Sequence, residues 1–314
     1  KFFNSIALRG NITNIDNNDI SLYLGSNFHF VIYPLNQNKE FNFISIIRKK
    51  LSQDQILNQK LFKTIQQLVE QDRIHFHCDL IFGLPGETLE HIKESFSQVI
   101  ALRPHELQLG FLKFLPGAPI NNLVEKHQYS YQSTPPYELI SHQDLSAEEV
   151  LYLKQFVDIF DRYYNSKRFR FSINYLLGKI NPVTLFNHLL EYHDSHALLM
   201  NPVSLDEHYR IFRETFYLAP TPMEQDLLKL DYLYSQRSFR LPGILSAKSA
   251  PPVKTWKQDR KTPVIPFDHE IEISGSQALL KEAKHPVYYA IAHSQNGDGY
   301  FRRPTVNAIS EPEA

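Results

Sequence analysis

The sequence predicts an α/β region followed by a mainly helical one, the whole preceded by a small antiparallel β meander. Three observations carry that expectation. Composition shifts near residue 58, since ten of the nineteen asparagines lie before that point. Between 59 and 114 a helical period and strand-like runs alternate, which is the order of a parallel sheet with crossover helices. From residue 146 onward, helix start signals recur at short intervals.

The first 58 residues hold short β-type runs, FNSIAL, ISLYL, FHFVIYPL and FNFISIIR, separated by turn-prone NITNIDNND and NQNKE. They read as about four antiparallel strands. Leu61, Phe62, Ile65, Leu68 and Val69 then form a helical stripe that feeds the strand from Ile74 to Phe82. In that strand Ile74, Phe76, Cys78, Leu80 and Phe82 face one way and His75, His77, Asp79 and Ile81 the other. GLPGET follows, then a helix capped by Thr88 with Ile92, Phe96, Val99 and Ile100 on one face. ELQLGFLKF, 106 to 114, reads as a second buried strand. Two strands do not close a barrel, so this part reads as an incomplete (β/α) layer.

From about 121 a connector with paired prolines leads into the helices. Ser146 to Glu149 is a capping box, and Val150, Leu153, Val157, Phe160 and Tyr164 form the buried face behind it. Asn181-Pro182, Ser204 to Glu207 and Thr221 to Glu224 signal three more helix starts. Prolines at 242 to 270 suggest an extended linker into a short closing segment, and SEPEA at the end a frayed tail. The expected domains are 1–55, 56–120, 121–305 and a tail at 306–314.

Composition excludes several classes. Lys plus Arg total 33 against 34 Asp plus Glu, so charge offers no attraction to nucleic acid or to an anionic membrane. The apolar runs are far short of the roughly 20 residues that span a bilayer. No signal peptide is visible in KFFNSIALRGN, and the chain reads as a fragment of something longer. Cys78 is the sole cysteine, which excludes an intrachain disulfide and any site built from two of this chain's thiolates, and suits a cytoplasmic location.

The loop glycines Gly83 and Gly86 permit close approach of a ligand or positive φ, Pro85 stiffens the turn, and Glu87 meets the dipole of the next helix. A Gly-Leu-Pro-Gly turn also serves as a βα loop with no ligand. His75, His77 and Asp79 have an i, i+2 spacing that suits a divalent metal, provided that other strands supply further ligands. Hydrogen-bonded interior polar residues explain the same pattern. EYHDSH at 191 to 196 reads as surface histidines, and NGDGYFRR at 296 to 303 as a hairpin turn. Neither a Gly-x-Ser-x-Gly elbow nor a P-loop occurs.

IHFHCDLIFGLPGETLEHIKESF followed by LRPHELQLGFLKFLPGAPI resembles the fifth and sixth βα units of radical S-adenosylmethionine enzymes, particularly those with a cobalamin-binding-type domain. The strand-five pattern there is Gly-x-Ile-x-Gly with an acidic residue downstream. Asp79 replaces the first glycine here, while Ile81, Gly83 and Glu87 fill the other places. The resemblance implies a partial radical SAM barrel, an apolar contact of Ile81 with adenine, support from Gly83, Pro85, Gly86 and Glu87, and a border at Leu115 and Pro116. His77 becomes the candidate on the substrate side. PPYELI, RYYNSKRF and DYLYSQRSFRLP resemble an uncharacterised C-terminal domain of such proteins, so the likeness covers about 59 to 305.

The implied cofactors are S-adenosylmethionine and a [4Fe-4S] cluster, with cobalamin in the full-length family. The cluster needs three cysteines, usually C-x3-C-x2-C, and this chain has one. Residues 1 to 50 resemble the substrate-domain sheet of flavin-dependent aromatic hydroxylases, but no Gly-x-Gly-x-x-Gly turn is present and FAD is not expected. The expectation is therefore a fragment of a radical SAM enzyme, inactive alone, acting with a missing barrel half or a partner chain on a small molecule or peptide. A scaffold module and a flavin hydroxylase remnant are the alternatives.

Overall fold

A computed structural model of the chain describes residues 5–13, 21–24, 28–35, 40–48, 75–235, 241–245, 255–256, 259–274, 277–293 and 304–309. The expected helix around Leu61 to Val69 lies outside the described residues, as do the Asp-Gly turn at 298–299 and the SEPEA tail. The chain divides into two units, 1–161 with 181–184 and 162–180 with 185–314. Among the described residues no helix is long and apolar enough to cross a membrane.

In the first unit, β1 (Ser5–Thr13), β2 (Ser21–Leu24), β3 (Phe28–Leu35) and β4 (Glu40–Arg48) pair antiparallel, as their alternation predicts. They are not a simple meander. The order is β2-β3-β4-β1, because β1 matches the nine residues of β4 from Ser5↔Arg48 to Thr13↔Glu40 rather than the four of β2. Nor do they stand apart from the βα region. β1 pairs antiparallel with β5 (His75–Phe82), from Leu8↔Cys78 to Asn11↔His75, so one six-stranded sheet contains both.

On its other edge β5 pairs parallel with β6 (Glu106–Phe111), from His77↔Glu106 to Phe82↔Phe111. The crossover is α1 (Leu89–Ile100), which buries the predicted Ile92, Phe96, Val99 and Ile100. Thr88 caps it, with His91 completing the box. Among the described residues the sheet is open and no barrel closes. After β6 the chain forms a small hairpin of β7 (Ser130–Tyr131) and β8 (Leu139–Ser141), then α2 (Ala147–Phe160) behind the predicted Ser146–Glu149 box. The buried face of α2 differs from the expected one. Phe156 and Ile159 are buried where Val157 was expected, and Phe156 meets Phe96 edge to face at 5.1 Å. A π turn at Asp161–Asn165 then adds a residue to the helical register, so Tyr163 is buried and Tyr164 only partly so.

The second unit contains α3 (Arg170–Leu176), most of α4 (Pro182–Ser195), α5 (Leu205–Phe216) and α6 (Pro222–Ser235). Each predicted start is capped: Asn181 Oδ1 accepts from Val183 and Thr184, Ser204 from Glu207, and Thr221 from Glu224. The region expected as linker and short closing segment is instead a four-stranded antiparallel sheet: β9 (Thr255–Trp256), β10 (Asp259–Ser274), β11 (Gln277–His293) and β12 (Pro304–Ile309). Residues 306–309, expected in the tail, belong to β12. Prolines 263 and 266 carry a linker signal in sequence, yet each sits in a strand near a register shift, where a missing N–H is tolerated.

Helix α6 shows why this sheet is needed. Eight consecutive residues, Asp226 to Leu233, are buried, so apolar partners are required on all sides. Leu227, Leu230 and Leu233 pack with Phe171, Ile265, Phe267 and Tyr289. Two buried carboxylates belong to the same helix. Asp231 accepts from the amides of Phe171 and Ser172 at 2.7 and 2.9 Å, at the start of α3. Asp226 accepts from Lys229 Nζ at 2.9 Å, the Asp268 amide at 2.7 Å and His269 Nδ1 at 2.9 Å. The ladder shifts register between Phe267 and His269, and Asp226 takes the Asp268 N–H at that irregularity.

Candidate functional site

The candidate site is the pair of carboxyl ends of β5 and β6. Cys78 and Phe82 are 2% exposed on one face of β5, while Leu80 between them is only partly buried; on β6, Leu107 opposite Cys78 and Leu109 opposite Leu80 are buried. Ile81 is 52% exposed on the other face, where Asp79 and His77 are half-buried. His77 Nδ1 lies 3.3 Å from Glu106 Oε2, across the parallel pair. The side chain of His75 lies outside the described residues. Among the described residues no group of three His, Cys, Asp or Glu is placed to hold a metal ion, so the zinc alternative gains no support there.

Each strand tip carries the same device. Leu84-Pro85-Gly86-Glu87 is a β turn closed by the Glu87 amide on the Leu84 carbonyl at 3.0 Å, with Gly86 at φ +78. Leu115-Pro116-Gly117-Ala118 is closed by Ala118 on Leu115 at 3.1 Å, with Gly117 at φ +78. Proline at the second place and a positive-φ glycine at the third make both type II turns. The repeated Leu-Pro-Gly at 84–86 and 115–117 is legible in the sequence; the two turns it makes are confirmed by their hydrogen bonds. Leu115 is 52% exposed, and Pro116 is exposed beside it in sequence.

Glu87 spends its carboxylate on its own loop. Oε2 accepts from the amides of Gly83 at 2.8 Å and Leu84 at 3.1 Å. Burial raises the carboxyl above the usual range, opposed by those two hydrogen bonds and by His91 nearby. The Phe82 carbonyl accepts from the Leu112 amide at 3.0 Å. With these groups engaged the loop is no phosphate cradle, for its first amides already hold an anion. The exposed groups at the tips include the apolar Ile81 and Leu115, with Lys113 exposed between β6 and the second turn.

Cys78 fails as a cluster ligand. The thiol is buried, and burial, helped by Asp79, pushes it up to about 12, so it keeps its proton and offers no thiolate. The residues of this chain therefore do not fit a [4Fe-4S] cluster.

Two comparisons bear on this arrangement. Residues 125–264 match the family described as "Protein of unknown function (DUF4080)". The chain is also similar to the cobalamin-dependent radical SAM methyltransferase TokK of Streptomyces tokunonensis, at 31% identity over 75 residues. That stretch is 24% of this chain and 11% of the relative, so the chain spans about a ninth of the protein that it matches.

Proposed function

We propose that residues 75–117 are the nucleoside-facing end of a radical S-adenosylmethionine-type (β/α) layer. Ile81 lies against the adenine, Gly83, Pro85, Gly86 and Glu87 shape the bend beneath it, and Leu115 and Pro116 border the same ring. Asp79 and His77 lie further down the same strand face, with His77 on the side of a small-molecule or peptide substrate. The observation that carries this reading is the parallel β5–β6 pair whose tips expose Ile81 and Leu115 while the loop amides are held by Glu87. Such a tip suits the flat apolar face of a base rather than an anion. Partial similarity to a radical SAM methyltransferase over 75 residues is in keeping with this class of chemistry.

The family reaction is reductive cleavage of S-adenosylmethionine to a radical that abstracts hydrogen, chemistry that a [4Fe-4S] cluster supplies. One protonated cysteine does not provide that cluster, so in this proposal its thiolates come from outside this sequence and the chain alone is inactive. Calorimetric titration with S-adenosylmethionine tests the wall. Binding is expected, and Ile81→Asp is expected to weaken it at least tenfold. A chain that shows no binding, or one that forms a reducible [4Fe-4S] centre by itself after anaerobic reconstitution, would overturn the reading.

A further inference from the structure

The GLPGE loop is held from far along the chain as well as from within. The Tyr129 hydroxyl donates to the Gly83 carbonyl at 3.1 Å in a buried contact across 46 residues. Its ring lies 4.9 Å from Phe114 and 5.1 Å from His142, and burial raises the phenol well above its ordinary range, so it remains a donor at neutral and alkaline pH. Leu139, fully buried, stands where a side chain at position 83 would go: a Cβ there would collide with Leu139 Cδ2. Gly83 also has φ +88, a conformation strained for any other residue. The segment that brings both residues is fastened to the end of β6, with Leu139 N donating to Leu112 O at 2.9 Å and Phe114 N to Tyr137 O at 2.8 Å.

We propose that Tyr129 is a positioning residue that sets the GLPGE loop through the Gly83 carbonyl, with Leu139 as the stop that keeps the loop backbone from shifting. Phe82 O, Gly83 N, Gly83 O and Leu84 N are then each committed, two of them to Glu87 and one each to Leu112 and Tyr129. Tyr129 and Leu139 both fall within the stretch that matches the family of unknown function, 125–264. The first part of that stretch is thus a component of the strand-tip site and not an appendage to it. Its effect on ligand binding rests on the nucleoside reading above; its effect on the loop does not.

The test uses the full chain and Tyr129→Phe, which removes the hydroxyl and keeps the ring. Hydrogen exchange at the Gly83 and Leu84 amides is expected to accelerate about fivefold, with α2 amides unchanged, as loss of one buried hydrogen bond implies. S-adenosylmethionine affinity is expected to fall by a similar factor, and Tyr131→Phe, which alters a ring stacked on Phe114, is expected to change neither. Unchanged loop exchange in Tyr129→Phe overturns the proposal. Faster exchange with unchanged affinity also overturns it, by reducing the contact to local stability. If the unmodified chain gives no heat with S-adenosylmethionine, the nucleoside reading falls and exchange alone decides the clamp. Should Tyr129→Phe unfold, Leu139→Val relaxes the stop while sparing the hydroxyl, and the same local acceleration is expected.

Discussion

Glu87 and Asp231 each accept two adjacent backbone N–H groups, and burial raises both carboxyls, yet they reach their partners by opposite routes. Glu87 turns back on Gly83 and Leu84, four and three residues earlier. Asp231 projects from α6 onto Phe171 and Ser172, some 60 residues away. Half-buried Glu87 serves a surface turn, whereas Asp231 is fully enclosed, and burial pushes it to about 7 against the pull of Ser172, Phe171 and Arg170. A local carboxylate shapes one loop; a distant one ties two helices. Asp226 is of the second kind and joins α6 to β10.

Substitutions should widen this contrast. Asp226→Ala is expected to cost most, about 3–5 kcal/mol in urea unfolding, because Lys229 is left buried without its counter-ion. Asp231→Ala should cost about 2–4 kcal/mol by stranding two amides at the start of α3. Glu87→Ala should cost about 1–2 kcal/mol, since its partners lie in a part-buried turn, and loop exchange should rise more than global unfolding does. A result in which Glu87→Ala equals Asp231→Ala would break the distinction.

The pH response sharpens it further. Asp231 holds its proton up to about 7 in the folded chain but releases it near 4 when unfolded, so the folded state binds more protons and stability falls as pH rises through that range. His208, lowered by burial to about 4, gives the opposite slope below about 6.5. Between pH 6.5 and 8 Asp231 dominates, and the unfolding free energy is expected to drop by about 1 kcal/mol, a drop that Asp231→Asn abolishes. The smallest effect is assigned to Thr88→Ala, about 1 kcal/mol from loss of the α1 cap, read as a small shift in the melting midpoint.

The same contrast separates what the sequence discloses from what it hides. Thr88, Ser146, Asn181, Ser204 and Thr221 are visible as caps because their partners lie two or three residues downstream. The α1 face and the direction of Ile81 follow from periodicity alone. The contacts of Tyr129, Leu139 and Asp231 are not legible, for no spacing rule links residue 129 or 139 to 83 or residue 231 to 171. The closing sheet was missed because prolines inside β10 read as linker, while the bulge that tolerates them depends on a partner strand. At the candidate site, alternation and turn chemistry are legible in the sequence, but the pairing of β5 with β6 is fixed only by their register.

The unlike neighbours of β5 have a consequence for the loop at its end. Its ladder with β1 is the shorter one, ending at Leu8↔Cys78, whereas the ladder with β6 continues to Phe82↔Phe111. β5 is therefore held over four register pairs by β1 and over six by β6, so the end of the strand that carries the GLPGE loop is set from the β6 side.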